Sequence, residues 1–85
     1  MATPIHELKT TRPMFDAICN GGKRFEVRKD DRGFQPGDTL KLREYHIIDS
    51  RYTGRELEVR VAYVLRAHEI PGKPLEAGYV VMGFE

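Results

Sequence analysis

Gly21-Gly22-Lys23-Arg24-Phe25-Glu26-Val27-Arg28-Lys29-Asp30-Asp31-Arg32 is the stretch on which the fold of this 85-residue chain turns. The segment before it carries helix signals. Thr10 and Thr11 are good N-cap residues, and Pro13 fits a first turn, where its missing N–H costs little. Met14 and Ile18, and likewise Phe15 and Cys19, stand four apart. Asn20-Gly21-Gly22 then stops the helix, because glycine accepts the left-handed conformation past a C-cap. The spacing predicts a helix from about Arg12 to Asn20. Beyond the glycines the period changes to two: Phe25 and Val27 alternate with Arg24, Glu26 and Arg28. A strand is predicted, with Phe25 and Val27 anchored in the core and the charged residues on the other face.

Outward from this junction the chain reads as mainly β. Residues 4–9 form a short first strand. Pro36-Gly37 marks a turn, since proline presets φ and glycine accepts a positive one. Leu40 and Leu42 alternate with Thr39, Lys41 and Arg43. Tyr45 to Thr53 is broken by Asp49-Ser50 and ends at Gly54, which indicates a hairpin. Glu56 to Arg66 is the longest strand, with Leu57, Val59, Val61, Tyr63 and Leu65 sharing one parity. Pro71-Gly72-Lys73-Pro74 forces a loop, and the nearly all-apolar run Tyr79 to Phe84 predicts a terminal strand covered on both sides. Four or five strands and one short helix, in a chain that buries only roughly 60–65% of its surface on folding, point to an α+β, mainly β domain spanning residues 1–85. The sheet is expected to curl into a small barrel, with the helix capping one end and closure removing exposed edges.

Composition bounds the partners. Fourteen basic and 13 acidic residues give a formal charge of +1, so a nucleic-acid site must be a local patch. One cysteine excludes an intrachain disulfide and a cysteine-cluster zinc site. No apolar run approaches the ~18 residues of a membrane helix, and MATPIHELKT lacks a secretory pattern. A cytoplasmic monomer without membrane, metal or cofactor is the expectation. His6, His46 and His68 lack metal-ligand spacing. Ser50 lacks a nucleophile-elbow context, and Gly21-Gly22 lacks the phosphate-loop pattern.

Gly21 to Arg32 holds five basic and three acidic residues. Glu26 and Arg28, two apart on a strand, project from one face, Arg24 shares their parity, and Lys23 sits at the turn. A planar fork, an acceptor and a point charge on one spot suit a base edge or a phosphate. A solvated face with its own ion pairs accounts equally for the pattern. Lys9, His6 and the Thr10-Thr11-Arg12 helix start are placed to border the same cleft. Arg32, Arg43, Arg55 and Arg60 either extend a basic surface or, interleaved with Asp30, Asp31, Glu44, Glu56 and Glu58, form a neutral one. Tyr52, at the hairpin, is the best of four tyrosines for stacking on a base. Tyr63 and Tyr79 read as core, as does the Cys19 thiol.

Gly21-x-Lys23-x-x-Glu26-x-Arg28 resembles the G-x-K-x-x-E-x-R signature of ASCH domains, small β-barrels of the PUA-like superfamily. Phe34-Gln35-Pro36-Gly37-Asp38, Tyr52-Thr53-Gly54-Arg55 and Gly78-Tyr79-Val80-Val81-Met82-Gly83 resemble an ASCH-related branch of uncharacterised bacterial and phage domains. The resemblance covers most of the chain. It implies a barrel with a cleft beside the helix, lined by the signature residues, and an affinity for RNA or modified bases. In the first reading Lys9, Lys23 and Arg32 hold phosphate, Glu26 and Arg28 read a base edge, and Tyr52 stacks. In the second, the chain is a small amidohydrolase deacylating N4-acetylcytidine-type nucleosides, with Lys23 activating water or the carbonyl and Glu26 relaying a proton. Against it, the deacylating branch carries threonine where this chain has Glu26, leaving Glu69 and Glu76 as the available downstream carboxylates. The third is a phage-accessory protein-interaction module using an apolar patch at Ile47 and Ile48.

Overall fold

A computed structural model describes residues 3–85. The elements are β1 (Ile5–Thr11), α1 (Arg12–Cys19), β2 (Phe25–Lys29), β3 (Thr39–His46), β4 (Arg51–Arg66), a 3-10 turn at Ala67–Glu69, and β5 (Tyr79–Phe84). One sheet in the order β1-β3-β4-β5-β2 contains all five strands. β1 runs parallel to β3, and the remaining pairs are antiparallel. No helix among the described residues is long and apolar enough to cross a membrane.

The mainly β architecture with one helix is as expected; the barrel closure is not made by backbone pairing. β1 and β2 lie at opposite edges of the sheet order. Side chains bridge them instead. Arg28 Nη2 donates to the carbonyl of Lys9, and Arg32 Nη1 donates to that of Glu7 at 2.7 Å. Five strands thus leave a seam that arginines, rather than a sixth strand, span.

α1 starts after extended Thr11 (φ −69°, ψ 157°), whose hydroxyl makes no cap bond. It ends where Gly21 takes φ +83° and the Lys23 N–H donates to the Ala17 carbonyl at 3.0 Å. Only one face is used. Phe15 and Ile18 are buried in a core with Leu8, Phe34, Leu40, Leu42, Val61, Val80 and Met82. Each such side chain contributes roughly 1.5–3 kcal/mol by leaving water. Met14 and Cys19 are exposed, so the expected buried thiol is corrected: an eight-residue helix on a sheet has a narrower buried stripe than the two i,i+4 pairs implied.

β4 serves two ladders. Its first half pairs with β3 and its second with β5. Where it changes partner, Val61 faces Phe84 but Tyr63 faces Gly83. Ala62 is therefore an extra residue, and such a bulge reverses the parity beyond it. Val61 is buried, whereas Tyr63 is 60% exposed, which corrects its reading as core; Tyr79 is only partly buried. A second irregularity sets Glu44 alone against Thr53, Gly54 and Arg55, with Gly54 at φ +95°. Glu44 turns inward and is 2% exposed. Thr53 Oγ1 donates to its Oε1 at 2.8 Å and Arg55 Nη1 to its Oε2 at 3.2 Å.

Candidate functional site

β2 is inverted relative to the hydrophobic expectation. Glu26 lies opposite Met82 and Arg28 opposite Val80, both core residues of β5. The charged parity therefore faces in, while Phe25 and Val27 are 46% and 43% exposed. An inward carboxylate must be paired to offset its desolvation. Lys23 Nζ donates to Glu26 Oε1 at 3.0 Å and to the Phe25 carbonyl at 2.7 Å. Arg28 reaches Glu26 Oε2 from Nη2 at 3.0 Å and from Nε at 3.2 Å. Two cations on one carboxylate leave the cluster at +1, with Arg28 also fixed to β1.

A hollow of about 200 Å³ lies beside this cluster, lined by Lys9, Thr10, Thr11, Met14, Glu26, Val27 and Arg28. It occupies the seam between β1 and β2, at the start of α1. Thr10 is 2% exposed, and its Oγ1 is buried with no hydrogen-bond partner. Such an orphan costs free energy; the inward carboxylates Glu26 and Glu44 bond to Lys23, Arg28, Thr53 and Arg55 instead. The sequence offered Thr10 only as a helix cap. Its parity with inward-facing Leu8 on β1 is the signal that places it here.

Lys9, Lys23, Glu26 and Arg28 are brought together around the seam. Arg32 lies further along it, bonded to Glu7 and 3.7 Å from Asp31. Tyr52 is elsewhere: it lies on β4, two strands from β1, and pairs with Tyr45 of β3, their rings 5.2 Å apart and edge-on. Lys9 connects the two places, its ammonium 4.1 Å from the Tyr45 ring centroid, and Arg43 covers Tyr52 at 4.0 Å. His6 does not border the cleft. It points inward and bonds Asp38 at 2.9 Å, its ring edge-on to Phe34. Arg43, Arg55 and Arg60 pair with Glu56, Glu44 and Glu85, which makes the surface mixed rather than uniformly basic. Glu69 caps the 3-10 turn by accepting from the Arg66 N–H at 2.8 Å.

A larger cavity, about 580 Å³, lies under the loop before β5, lined by residues that include Asp30, Arg66, His68, Lys73, Leu75 and Tyr79. Its innermost charges already satisfy each other: Arg66 Nη1 is 2.7 Å from Asp30 Oδ2. Burial pushes the Asp30 carboxyl up, but the N–H of Phe34, the Arg66 guanidinium and the N–H groups of Gly33 and Arg32 together hold it below its ordinary value. That pair ties the end of β4 to the segment after β2, where Arg66 also donates to the Phe34 carbonyl, so size alone does not make this cavity the site. Among the described residues, no group of three or more His, Cys, Asp or Glu could hold a metal ion.

Comparison with known proteins agrees with a phage connection. The chain is 42% identical over 64 residues to an uncharacterized 12.9 kDa protein in the GpA 3′ region of Escherichia phage P2. The alignment covers 75% of this chain and 57% of that protein, so the chain spans little more than half of that relative. Residues 5–84, from the first residue of β1 to the last of β5, match the family model described as Domain of unknown function (DUF3850). The chain belongs to the DUF3850 family.

Proposed function

We propose that the chain is an ASCH-type member of the PUA-like superfamily, its seam standing in for barrel closure, and that it binds RNA through the hollow between β1 and β2. The observation that carries this reading is the buried, unpartnered Thr10 hydroxyl in a hollow whose charged groups sum to a positive value. An orphaned donor–acceptor beside a guanidinium and an ammonium suits a base edge or phosphate oxygen. The volume, below that of ordinary small-molecule pockets, fits one ring or one phosphate. Lys23, Glu26 and Arg28 define the polar wall, Lys9 and Arg32 hold neighbouring phosphates, and Tyr52 with Tyr45 offers a stacking surface reached across Lys9.

The test is titration of the protein with a mixed-sequence single-stranded RNA at several salt concentrations. Two to four neutralised phosphates give a slope of roughly −1.4 to −2.8 in log K against log salt. Replacing Lys9 flattens it by about one phosphate's share. Absence of binding at low salt refutes the reading.

The deacylation reading receives less support from the geometry. Lys23 Nζ donates to Glu26 Oε1 and to the Phe25 carbonyl, contacts that tie it to the protein rather than leave it free to meet a substrate carbonyl. One observation favours a protein-contact role: Ile47 and Ile48, at the β3–β4 turn, are 66% and 88% exposed.

A further inference from the structure

The outer face of β2, β5 and the second half of β4 carries apolar side chains that the core does not use. Strand pairing sets Phe25, Gly83 and Tyr63 in one row, and Val27, Val81 and Leu65 in the next. Two separate departures from hydrophobic patterning put them there: the inverted parity of β2 and the extra residue Ala62 in β4. Each forgoes burial of large side chains. Departures of this kind that converge on one patch mark an interaction surface.

Gly83 gives the patch its shape. Phe25 and Tyr63 stand two strand spacings apart, about 9.6 Å, with no side chain between them. Aromatic side chains often fold over a strand glycine. Here a β-carbon placed on Gly83 would meet no heavy atom within 4 Å, so neither ring covers it. The backbone does not require glycine either, since φ at this position is outside the left-handed region. The result is an open slot between two rings. A flat group held between them needs about 7–8 Å, twice the best carbon–carbon contact distance.

The surroundings select the occupant. Val27, Val81 and Leu65 supply a carbon surface without partners for the polar edge of a nucleobase. Cations border it: Lys29 lies on the same face of β2 and Arg24 precedes Phe25, while the Lys23 ammonium, 5.0 Å from the Phe25 ring centroid, is already paired with Glu26. The two rows comprise six residues, against roughly 20–30 a side in an interface between folded proteins. We infer that this slot receives an aromatic side chain from a short acidic segment of a partner protein. The slot opens on the outer face of β2 and β5; Val27, which also lines the seam hollow, and the Lys23 ammonium lie at the border of both.

The experiment uses a labelled hexapeptide with one tryptophan among glutamates and aspartates, a version with alanine for tryptophan, and a version with lysines for the acids. Binding is followed by fluorescence polarisation, and the contact by amide chemical shifts. The acidic tryptophan peptide is expected to bind and to move the signals of Phe25, Tyr63 and Gly83. Both altered peptides are expected to bind at least about tenfold more weakly, a difference of 1.4 kcal/mol. Gly83→Val fills the slot with a good strand former; it is expected to keep the melting temperature and lose the peptide to a similar degree. Absence of binding, equal binding by the alanine peptide, or undiminished binding by Gly83→Val overturns the inference. So does a dimer, or an oligonucleotide complex, that Gly83→Val abolishes: the slot then belongs to a second copy or to nucleic acid.

Discussion

Arg28 of β2 donates to the main-chain carbonyl of Lys9 on β1 while gripping Glu26, so one side chain both neutralises a buried carboxylate and ties the two edges of the sheet. Arg28→Ala removes both functions and leaves Glu26 with Lys23 alone. The expected loss is about 2–3 kcal/mol, or roughly 10–20 °C in melting temperature for a domain of this size. Arg28→Lys keeps the charge but not the fork, and is expected to recover less than half. Thermal melts of the two variants decide this; a melting temperature unchanged in Arg28→Ala refutes the seam's role.

Glu26→Gln separates stability from binding. It leaves Lys23 and Arg28 without their shared counter-charge, so the free protein loses about 1–3 kcal/mol. The hollow becomes more positive, and affinity for single-stranded RNA is expected to rise several-fold with a steeper salt slope. Parallel denaturation and RNA titration read the two signs; loss of both stability and affinity places Glu26 in direct contact with the base.

Thr10→Val acts in the opposite sense. The orphaned hydroxyl is removed from a buried position, and the free protein is expected to gain about 1 kcal/mol. RNA affinity falls, because the RNA group then lacks its hydroxyl partner in the complex. Destabilisation of the free protein contradicts the assignment of Thr10 as unpartnered.

Asp30 supplies an acid-sensitive fastening. Its carboxyl is held below the ordinary value of 3.8. Its stabilisation is therefore fully present above that value and is lost as the pH falls through the lower, folded-state value. Asp30→Asn is expected to lower the melting temperature at neutral pH and to flatten its decline below about pH 4. A decline as steep as that of the unsubstituted chain removes Asp30 from the account.

Much of this architecture was legible in the sequence. Pro13, the Asn20-Gly21-Gly22 stop, the Pro36-Gly37 turn and the Leu40–Leu42 alternation each act locally, and each sits in the predicted element. The site cluster was found by parity, since Glu26 and Arg28 share a face whichever way β2 is turned. The direction of that face was misread. Alternation alone turns Phe25 and Val27 inward, whereas the ion pairs of Glu26 with Lys23 and Arg28, and the long-range bond of Arg28 to β1, stabilise the reverse. Tyr63 was misread because a bulge at Ala62 carries no residue signature and depends on β4 exchanging β3 for β5. Glu44 reads from the sequence as one of the surface acids interleaved with arginines; it is buried instead, because its partners, Thr53 and Arg55, reach it through the kink at Gly54. Thr10 was visible as a hydroxyl, but its lack of a partner is a property of the assembled interior.

The strand order has a bearing on how the molecule is made. β2 is paired only to β5, and β1 waits for β3, so both early strands are stranded until later ones emerge from the ribosome. The central β3-β4-β5 meander, with its local contacts, is the part able to form first, and contacts spanning long stretches of sequence close last. Lys23, Glu26 and Arg28 therefore take up their positions only once residues 79–84 are in place. Cleavage before Tyr79 would release the binding wall while sparing the hairpin.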